Sequence, residues 1–203
     1  MRRGLYLVTP DLLDTDALLA AVATVLPSRP AIVQYRNKLA DAALKREQST
    51  RLLALCRAAG VPLVINDSLA LALEIGADGA HLGRDDGDPA LARAALGPGR
   101  ILGVSCYNEW QRAVAGAAAG VDYVAFGAMF TSSTKPDAPR AGLDLLTRAH
   151  RELRLPVAAI GGITLDNAPA LVAAGADLLA VISDVFSAPD PAARAAAYAG
   201  LFD

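Results

Sequence analysis

The chain has 203 residues, a formal charge of −2 and a pI near 5.7, so it carries no global basic field for nucleic acid or an anionic membrane, and any anion site must be local. Hydrophobic residues make up 54% of it, much of that alanine, and no apolar run approaches the roughly 20 residues of a membrane span. Cys56 and Cys106 lie far apart with no CxxC and no histidine at metal-like spacing, which argues against a zinc site or a disulfide framework.

Met1-Arg2-Arg3 precedes a short apolar run, Leu5 to Val8, that Pro10 and Asp11 soon end. The run is too short for a signal peptide, and a cytoplasmic protein is expected. Short apolar runs then alternate with longer segments rich in alanine and leucine, the pattern of a parallel sheet. Strands are predicted at Gly4 to Thr9, Ala31 to Arg36, Pro62 to Asn66, Gly79 to Gly83, Arg100 to Ser105, Asp122 to Gly127, Pro156 to Gly161 and Leu178 to Ser183. Helices are predicted between them, among them Asp16 to Leu26, Asp41 to Ala59, with Cys56 as buried filler, and Leu143 to Leu153.

An internal echo marks the joints: A-A-G-V-P from Ala58, I-G-A-D-G from Ile75, A-A-G-V-D from Ala118 and A-A-G-A-D from Ala173. Each is expected to close a helix on a left-handed glycine, Gly60, Gly76, Gly120 or Gly175, and to start the next strand in register. Repeated βα units with no composition shift favour an α/β fold of one domain over residues 1–203, a closed (β/α)8 TIM barrel, with an open doubly wound sheet as the alternative. In a barrel, chemistry belongs at the C-terminal ends of the strands.

Gln34, Arg36 and Lys38 leave the second strand at alternate positions and so share a face. If that face is interior, the two cations need anionic company. A substrate diphosphate could supply it, or equally an internal ion network with Asp67 and Asp86. Asn66, Asp67 and Asp86, at neighbouring strand ends, suit magnesium, which takes one or two carboxylates and substrate phosphate oxygens. Asp85 and Asp88 read as solvated loop charges. The loop from Gly127 to Gly142 holds Ser132, Ser133, Thr134 and Lys135, hydroxyl donors beside an ammonium that could hold phosphoryl oxygens. Ile160 to Thr164, with Asp166 and Asn167 as caps, and Ile182-Ser183 resemble the usual phosphate site after the last two strands of such barrels. His81 reads as a packed core residue and His150 as helix surface. No Ser-His-Asp set is present, and Trp110 with the tyrosines makes no basic-aromatic stripe.

These residues resemble the thiamine phosphate synthase family over nearly the whole chain. Its Q-x-R-x-K is met by Gln34, Arg36 and Lys38; its I-N-D by Ile65 to Asp67; its H-x-G-x-x-D by His81, Gly83 and Asp86; its G-V-S by Gly103 to Ser105. The T-x-T-K-P loop is Ser132 to Pro136, I-G-G-I is Ile160 to Ile163, and the terminal I-S is Ile182-Ser183. The resemblance implies a Mg2+-dependent transferase that joins a hydroxymethylpyrimidine diphosphate to a thiazole phosphate, or its carboxylated form, releasing pyrophosphate. It implies that Gln34, Arg36, Lys38, Asn66, Ser105 and Lys135 hold the pyrimidine diphosphate, with Arg36, Lys38, Ser105 and Lys135 serving the chemistry. Asp67 and Asp86 would bind the metal, and Ser132, Ser133, Thr134, Gly162, Ile182 and Ser183 the thiazole phosphate.

Partners are then small phosphorylated substrates, neither nucleic acid nor membrane, and a homo-oligomer stays open. Thr131, Ser132, Arg84 and Cys106-Tyr107 depart from the family's usual proline, threonine, glutamine and T-H. Serine keeps the hydroxyl, and Arg84 could contact the diphosphate or face solvent. The nearest rivals on this scaffold are a thiazole tautomerase, whose base is a histidine where Tyr107 stands, and a silent regulatory protein, expected to lose Asp67, Asp86 or Lys135.

Overall fold

In a computed structural model of the chain, residues 1–131 and 140–202 are described; Ser132, Ser133, Thr134 and Lys135 lie outside the described residues. The strands β1 (Gly4–Val8), β2 (Ile32–Tyr35), β3 (Leu63–Asn66), β4 (Gly79–Leu82), β5 (Ile101–Tyr107), β6 (Tyr123–Phe126), β7 (Val157–Ile160) and β8 (Leu178–Val181) form a closed parallel barrel in chain order, β8 pairing with β1. This is the barrel expected from the sequence; the open sheet is excluded.

Around it lie α1 (Thr15–Val25), α2 (Ala42–Ala58), α3 (Leu69–Ile75), α4 (Pro89–Leu96), α5 (Trp110–Ala118), α6 (Leu143–Glu152), α7 (Ala168–Ala173), the short α8 (Ser183–Phe186) and α9 (Pro191–Ala199). No helix of the described residues is long and apolar enough to cross a membrane. Aspartate and serine side chains start several of them: Asp14 accepts from the Ala17 amide at 2.9 Å, Asp41 from Leu44 at 2.8 Å, Ser68 from Leu71 at 3.2 Å and Asp190 from Ala193 at 3.0 Å. Each such cap contributes about 1 kcal/mol. Asp88, read as a solvated charge, caps α4 through the Ala90 amide at 2.7 Å.

Strand alternation sorts the apolar residues into two cores. Leu5, Leu7, Val33, Leu63, Leu102 and their like point outward under the helices, where Cys56 is also buried. Tyr6, Val8, Ile32, Val64, Tyr123, Ala125 and Ala158 fill the barrel. Gly103 belongs to the inner set because a Cβ there would run into the Tyr123 ring.

The lower, N-terminal end of the barrel is tied by a device used three times. The Asp78 carboxylate accepts from the Leu63 amide at 2.9 Å, Asp122 from Leu102 at 2.7 Å and Asp177 from Val157 at 3.0 Å. Each aspartate also donates its own amide back to the carbonyl of the same partner. The G-A-D and G-V-D echoes are therefore more than helix stops: the aspartate brackets β3 to β4, β5 to β6 and β7 to β8.

Three local expectations change. β2 stops at Tyr35, so Arg36 and Lys38 lie beyond regular pairing. β5 runs on to Tyr107 through an irregularity between Ser105 and Tyr107. Ser183 opens α8 instead of ending β8.

Candidate active site

At the C-terminal end of the strands the barrel opens into a cavity of about 960 Å³, lined by Gln34, Arg36, Lys38, Asn66, Asp67, Asp86, Ser105, Gly162, Ile182 and Ser183 together. Every described residue of the expected set thus faces one space. A second cavity of about 560 Å³ lies at the opposite end among Pro30, Val61, Pro62 and Leu155, and gathers no comparable set of polar groups.

The basic wall is built by the turn after β1. The Thr9 hydroxyl accepts from the Arg36 amide and donates to the Arg36 carbonyl, both at 2.8 Å, which steers the chain past the end of β2. Asp11 then takes Arg36 Nη1 at 3.0 Å and the Lys38 amide at 2.7 Å. The ion network considered with Asp67 and Asp86 is therefore replaced for Arg36 by Asp11, which the T-P-D sequence brings to the same rim. Beneath, the buried Asn37 accepts from the Leu39 amide at 3.0 Å and donates to Gln48 at 3.0 Å, fixing the loop.

Beside this wall, after the next two strands, are two carboxylates. Asp67, at φ 61, follows β3 and donates its amide to the His81 carbonyl at 2.9 Å. Asp86 accepts from the Gly83 amide at 2.7 Å. A Cβ on Gly83 would sit 2.8 Å from Asp86 Oδ2, 3.5 Å from the Tyr107 hydroxyl and 3.7 Å from Asp67 Oδ1, so these three groups converge where glycine leaves room. Lost hydration and the neighbouring Asp86 push the Asp67 carboxyl up to about 6, against the pull of Asn66 and Lys38. Arg84 lies over the Tyr107 ring, 4.9 Å from its centre, and its guanidinium pairs with Glu109.

The cavity floor is a hydrogen-bonded row. Register sets His81, Gly103 and Tyr123 side by side on β4, β5 and β6, and because Gly103 has no side chain the two rings meet across it, stacked at 5.6 Å. Tyr123 Oη lies 2.8 Å from His81 Nδ1 and 2.6 Å from Tyr6 Oη; His81 Nε2 lies 2.8 Å from Ser105 Oγ; Gln34 Nε2 reaches Tyr6 Oη. Burial holds His81 down to about 4 and raises both tyrosines, so the ring is neutral near pH 7. His81 is the packed, bonded residue expected.

Elsewhere on the rim, after β7, Gly161 and Gly162 take φ 102 and 64. A Cβ on Gly162 would strike the Thr131 carbonyl and Phe130. Asn167, expected as a helix cap, makes no side-chain cap bond to α7; it accepts from the Thr164 amide at 2.9 Å and donates to the Gly162 carbonyl at 3.0 Å, clamping the glycine turn. Beside it α8 begins at Ser183 and is held from below: Asp184 takes Arg194 at 3.0 Å and the Tyr198 hydroxyl at 2.7 Å. Asp11, Thr9, Tyr6, Tyr123 and Arg194 escape the sequence reading, although strand-end position marks Asp11 and inward alternation marks Tyr6.

The profile of the thiamine monophosphate synthase family matches residues 5–185. A thiamine-phosphate synthase of Aromatoleum aromaticum is 66% identical over 201 residues, covering 99% of this chain and 97% of the relative. One of an Azoarcus species is 67% identical over 200 residues, covering 98% and 97%. A solved thiamine phosphate pyrophosphorylase of Pyrococcus furiosus superimposes with a TM-score of 0.87 at 30% identity over 98% of this chain and 95% of its own. With two thirds of its residues shared with such relatives and the family's strand-end motifs gathered on one cavity, the chain belongs to the thiamine monophosphate synthase family.

Proposed function

We propose that the chain is a transferase, a thiamine phosphate synthase, which joins 4-amino-2-methyl-5-(diphosphooxymethyl)pyrimidine to 4-methyl-5-(2-phosphoethyl)thiazole or its carboxylated form, giving thiamine phosphate and pyrophosphate. The observation that carries this reading is the meeting, in one cavity, of a basic wall at Arg36 and Lys38, a carboxylate pair at Asp67 and Asp86, and a separate glycine turn at Gly162 beside Ser183. Two anionic substrates have two places to bind.

The carboxylate pair fits magnesium. Asp67 and Asp86 line the cavity together, beside the side-chain-free Gly83, and two carboxylates suit an ion that completes its shell with water and phosphate oxygens. When bound, such an ion would supply charge neutralisation at the diphosphate. The protein's own part is to hold and neutralise. Arg36 and Lys38 receive the diphosphate and offset charge growing on the leaving pyrophosphate, a preorganised stabilisation; by the family resemblance Lys135 joins them. Gln34, Asn66 and Ser105 orient the pyrimidine. Gly162, Ile182 and Ser183, with Ser132, Ser133 and Thr134 by resemblance, hold the thiazole phosphate so that its ring nitrogen faces the pyrimidine methylene carbon.

In this reading the C–O bond breaks early, the ring bears the positive charge, and the thiazole nitrogen takes that carbon. No protein nucleophile or base is needed, which agrees with a His81 whose nitrogens are both engaged. The test mixes the protein with both substrates and magnesium and follows thiamine phosphate as a fluorescent thiochrome, beside a chelator control. Magnesium-dependent product is expected; absence of product with no binding of the pyrimidine diphosphate would refute the reading and favour a tautomerase or a regulatory protein.

A further inference from the structure

The row on the cavity floor joins five side chains from five strands by four contacts, Gln34 to Tyr6, Tyr6 to Tyr123, Tyr123 to His81 and His81 to Ser105. Its interior members have little freedom. A phenol has one hydrogen to give, and a neutral imidazole has one, so that one ring nitrogen donates and the other accepts. Among the described residues neither tyrosine hydroxyl has another partner, and both rings are fully buried. A hydrogen bond given at one end therefore forces the direction of every link after it.

With Gln34 Nε2 donating to Tyr6, Tyr6 donates to Tyr123 and Tyr123 to His81 Nδ1. The His81 proton must then sit on Nε2 and point at Ser105 Oγ. Two consequences face the cavity: Gln34 is left with its carbonyl Oε1 turned there as an acceptor, and Ser105 with its hydroxyl hydrogen free to donate. Turning the Gln34 amide over reverses all four links and exchanges both offers. The two ends cannot be set independently.

We propose that Tyr6, Tyr123 and His81 are positioning residues that carry one hydrogen-bond direction across the barrel, so that Gln34 offers an acceptor and Ser105 a donor to the same ring, and the site selects a 4-aminopyrimidine over its 4-oxo analogue. This rests on the synthase reading for the identity of the ring. An aminopyrimidine edge shows an amino donor beside a ring-nitrogen acceptor, the complement of that pair; the oxo form shows a carbonyl acceptor beside an N–H donor and meets like with like. Sites built to pair a polar group reject the analogue that leaves it unpaired. The direction belongs to the neutral imidazole, with one nitrogen donating and the other accepting; an imidazolium would donate from both.

The test uses the full chain and the variants Tyr123→Phe and Tyr6→Phe, each of which removes one oxygen from the row. Nitrogen-15 NMR of labelled histidine reads the tautomer, and a His150→Gln spectrum identifies the His81 signals, since the chain has two histidines. Ratios of kcat/KM for the 4-amino and 4-oxo pyrimidine diphosphates read selection. His81 in the unchanged protein is expected to carry its proton on Nε2. Tyr123→Phe should lose that fixed tautomer, and both variants should lose roughly tenfold or more in selection while KM for the thiazole phosphate stays constant. A proton on Nδ1 in the unchanged protein, an unaltered tautomer in Tyr123→Phe, or an unaltered selection ratio would overturn the proposal. If Tyr123→Phe does not fold, the selection ratio of Tyr6→Phe decides. If the unchanged protein makes no thiamine phosphate, the synthase reading fails by itself, and the tautomers still decide the direction of the row.

Discussion

Arg36 Nη1 lies 3.0 and 3.2 Å from the two carboxylate oxygens of Asp11, and the same carboxylate accepts the Lys38 amide at 2.7 Å. One side chain from the β1 turn thus sets both the guanidinium and the backbone that carries the neighbouring ammonium. Removing it leaves a half-buried cation and an amide without their acceptor, which costs about 1–3 kcal/mol. Asp11→Ala is expected to lower kcat/KM for the pyrimidine diphosphate by about 10- to 100-fold, mostly through KM, with Asp11→Asn closer to the unchanged protein because its amide oxygen still accepts from Lys38. Steady-state kinetics on both variants check this; an unaltered KM in Asp11→Ala would count against it.

Gly83→Ala should disturb the carboxylate pair without unfolding the barrel. The added methyl would lie 2.8 Å from Asp86 Oδ2, and Asp86 must turn away. Magnesium binding, measured by calorimetry, should weaken by at least about tenfold, with the melting temperature almost constant. Asp67→Ala should abolish turnover, and full activity there would remove the proposed metal role.

Acid should compete with the same ion. The Asp67 carboxyl titrates at about 6 when no cation is present, so it is ionised at pH 7.5 and largely protonated at pH 5. Metal ligands must be deprotonated, and the apparent magnesium affinity should fall as pH drops through 6. Asp67→Asn should show weak affinity at every pH and no such slope.

His81 gives a separate acid effect on stability. Its folded value, about 4, lies below the ordinary 6.5, so between those limits the unfolded chain holds more protons than the folded one. Stability from this group is present above pH 6.5 and is lost as pH falls toward 4, by on the order of 3 kcal/mol in all. Asp67 acts oppositely over part of that range, more weakly because solvent screens it. The difference in urea midpoints between the unchanged protein and His81→Gln, followed from pH 7 to pH 4.5, isolates the histidine; a constant difference would contradict its burial as a neutral ring.

Gly162→Ala should act on the other substrate. At φ 64 a methyl is strained, and it would press on the Thr131 carbonyl and Phe130. KM for the thiazole phosphate should rise by roughly tenfold or more, with the KM for the pyrimidine diphosphate little altered. Equal changes in both would point to general damage.

The barrel and most of one rim are legible in the chain because they rest on local signals. Gly60, Gly76, Gly120 and Gly175 read as helix closers, and all four have positive φ, at 67, 68, 77 and 104°. Strand-end position alone collects Gln34, Asp67 and Ser183. Asp11 obeys the same rule but sits after the first strand, behind a proline that reads as a turn. The direction-setting row is not local at all: Tyr6 and Tyr123 are 117 residues apart, and their meeting depends on closure of the barrel and on the missing side chain at Gly103. Nor does the echo reveal what its aspartates do, since their amide partners lie on the preceding strand. Asn167 looks like a cap from its neighbours and becomes a clamp on Gly162 because the glycine turn folds back beside it.

Those aspartates divide the labour of the molecule. Asp78, Asp122 and Asp177 fix strand register at the end of the barrel farthest from Asp67, Asp86 and Gly162. The rim can therefore change its chemistry by point substitution while the foundations keep the staves aligned, and drift in substrate choice is uncoupled from the ability to fold. The same separation makes the lower end the vulnerable one: a lost bracket at Asp122, far from any substrate, should harm activity only by loosening the whole.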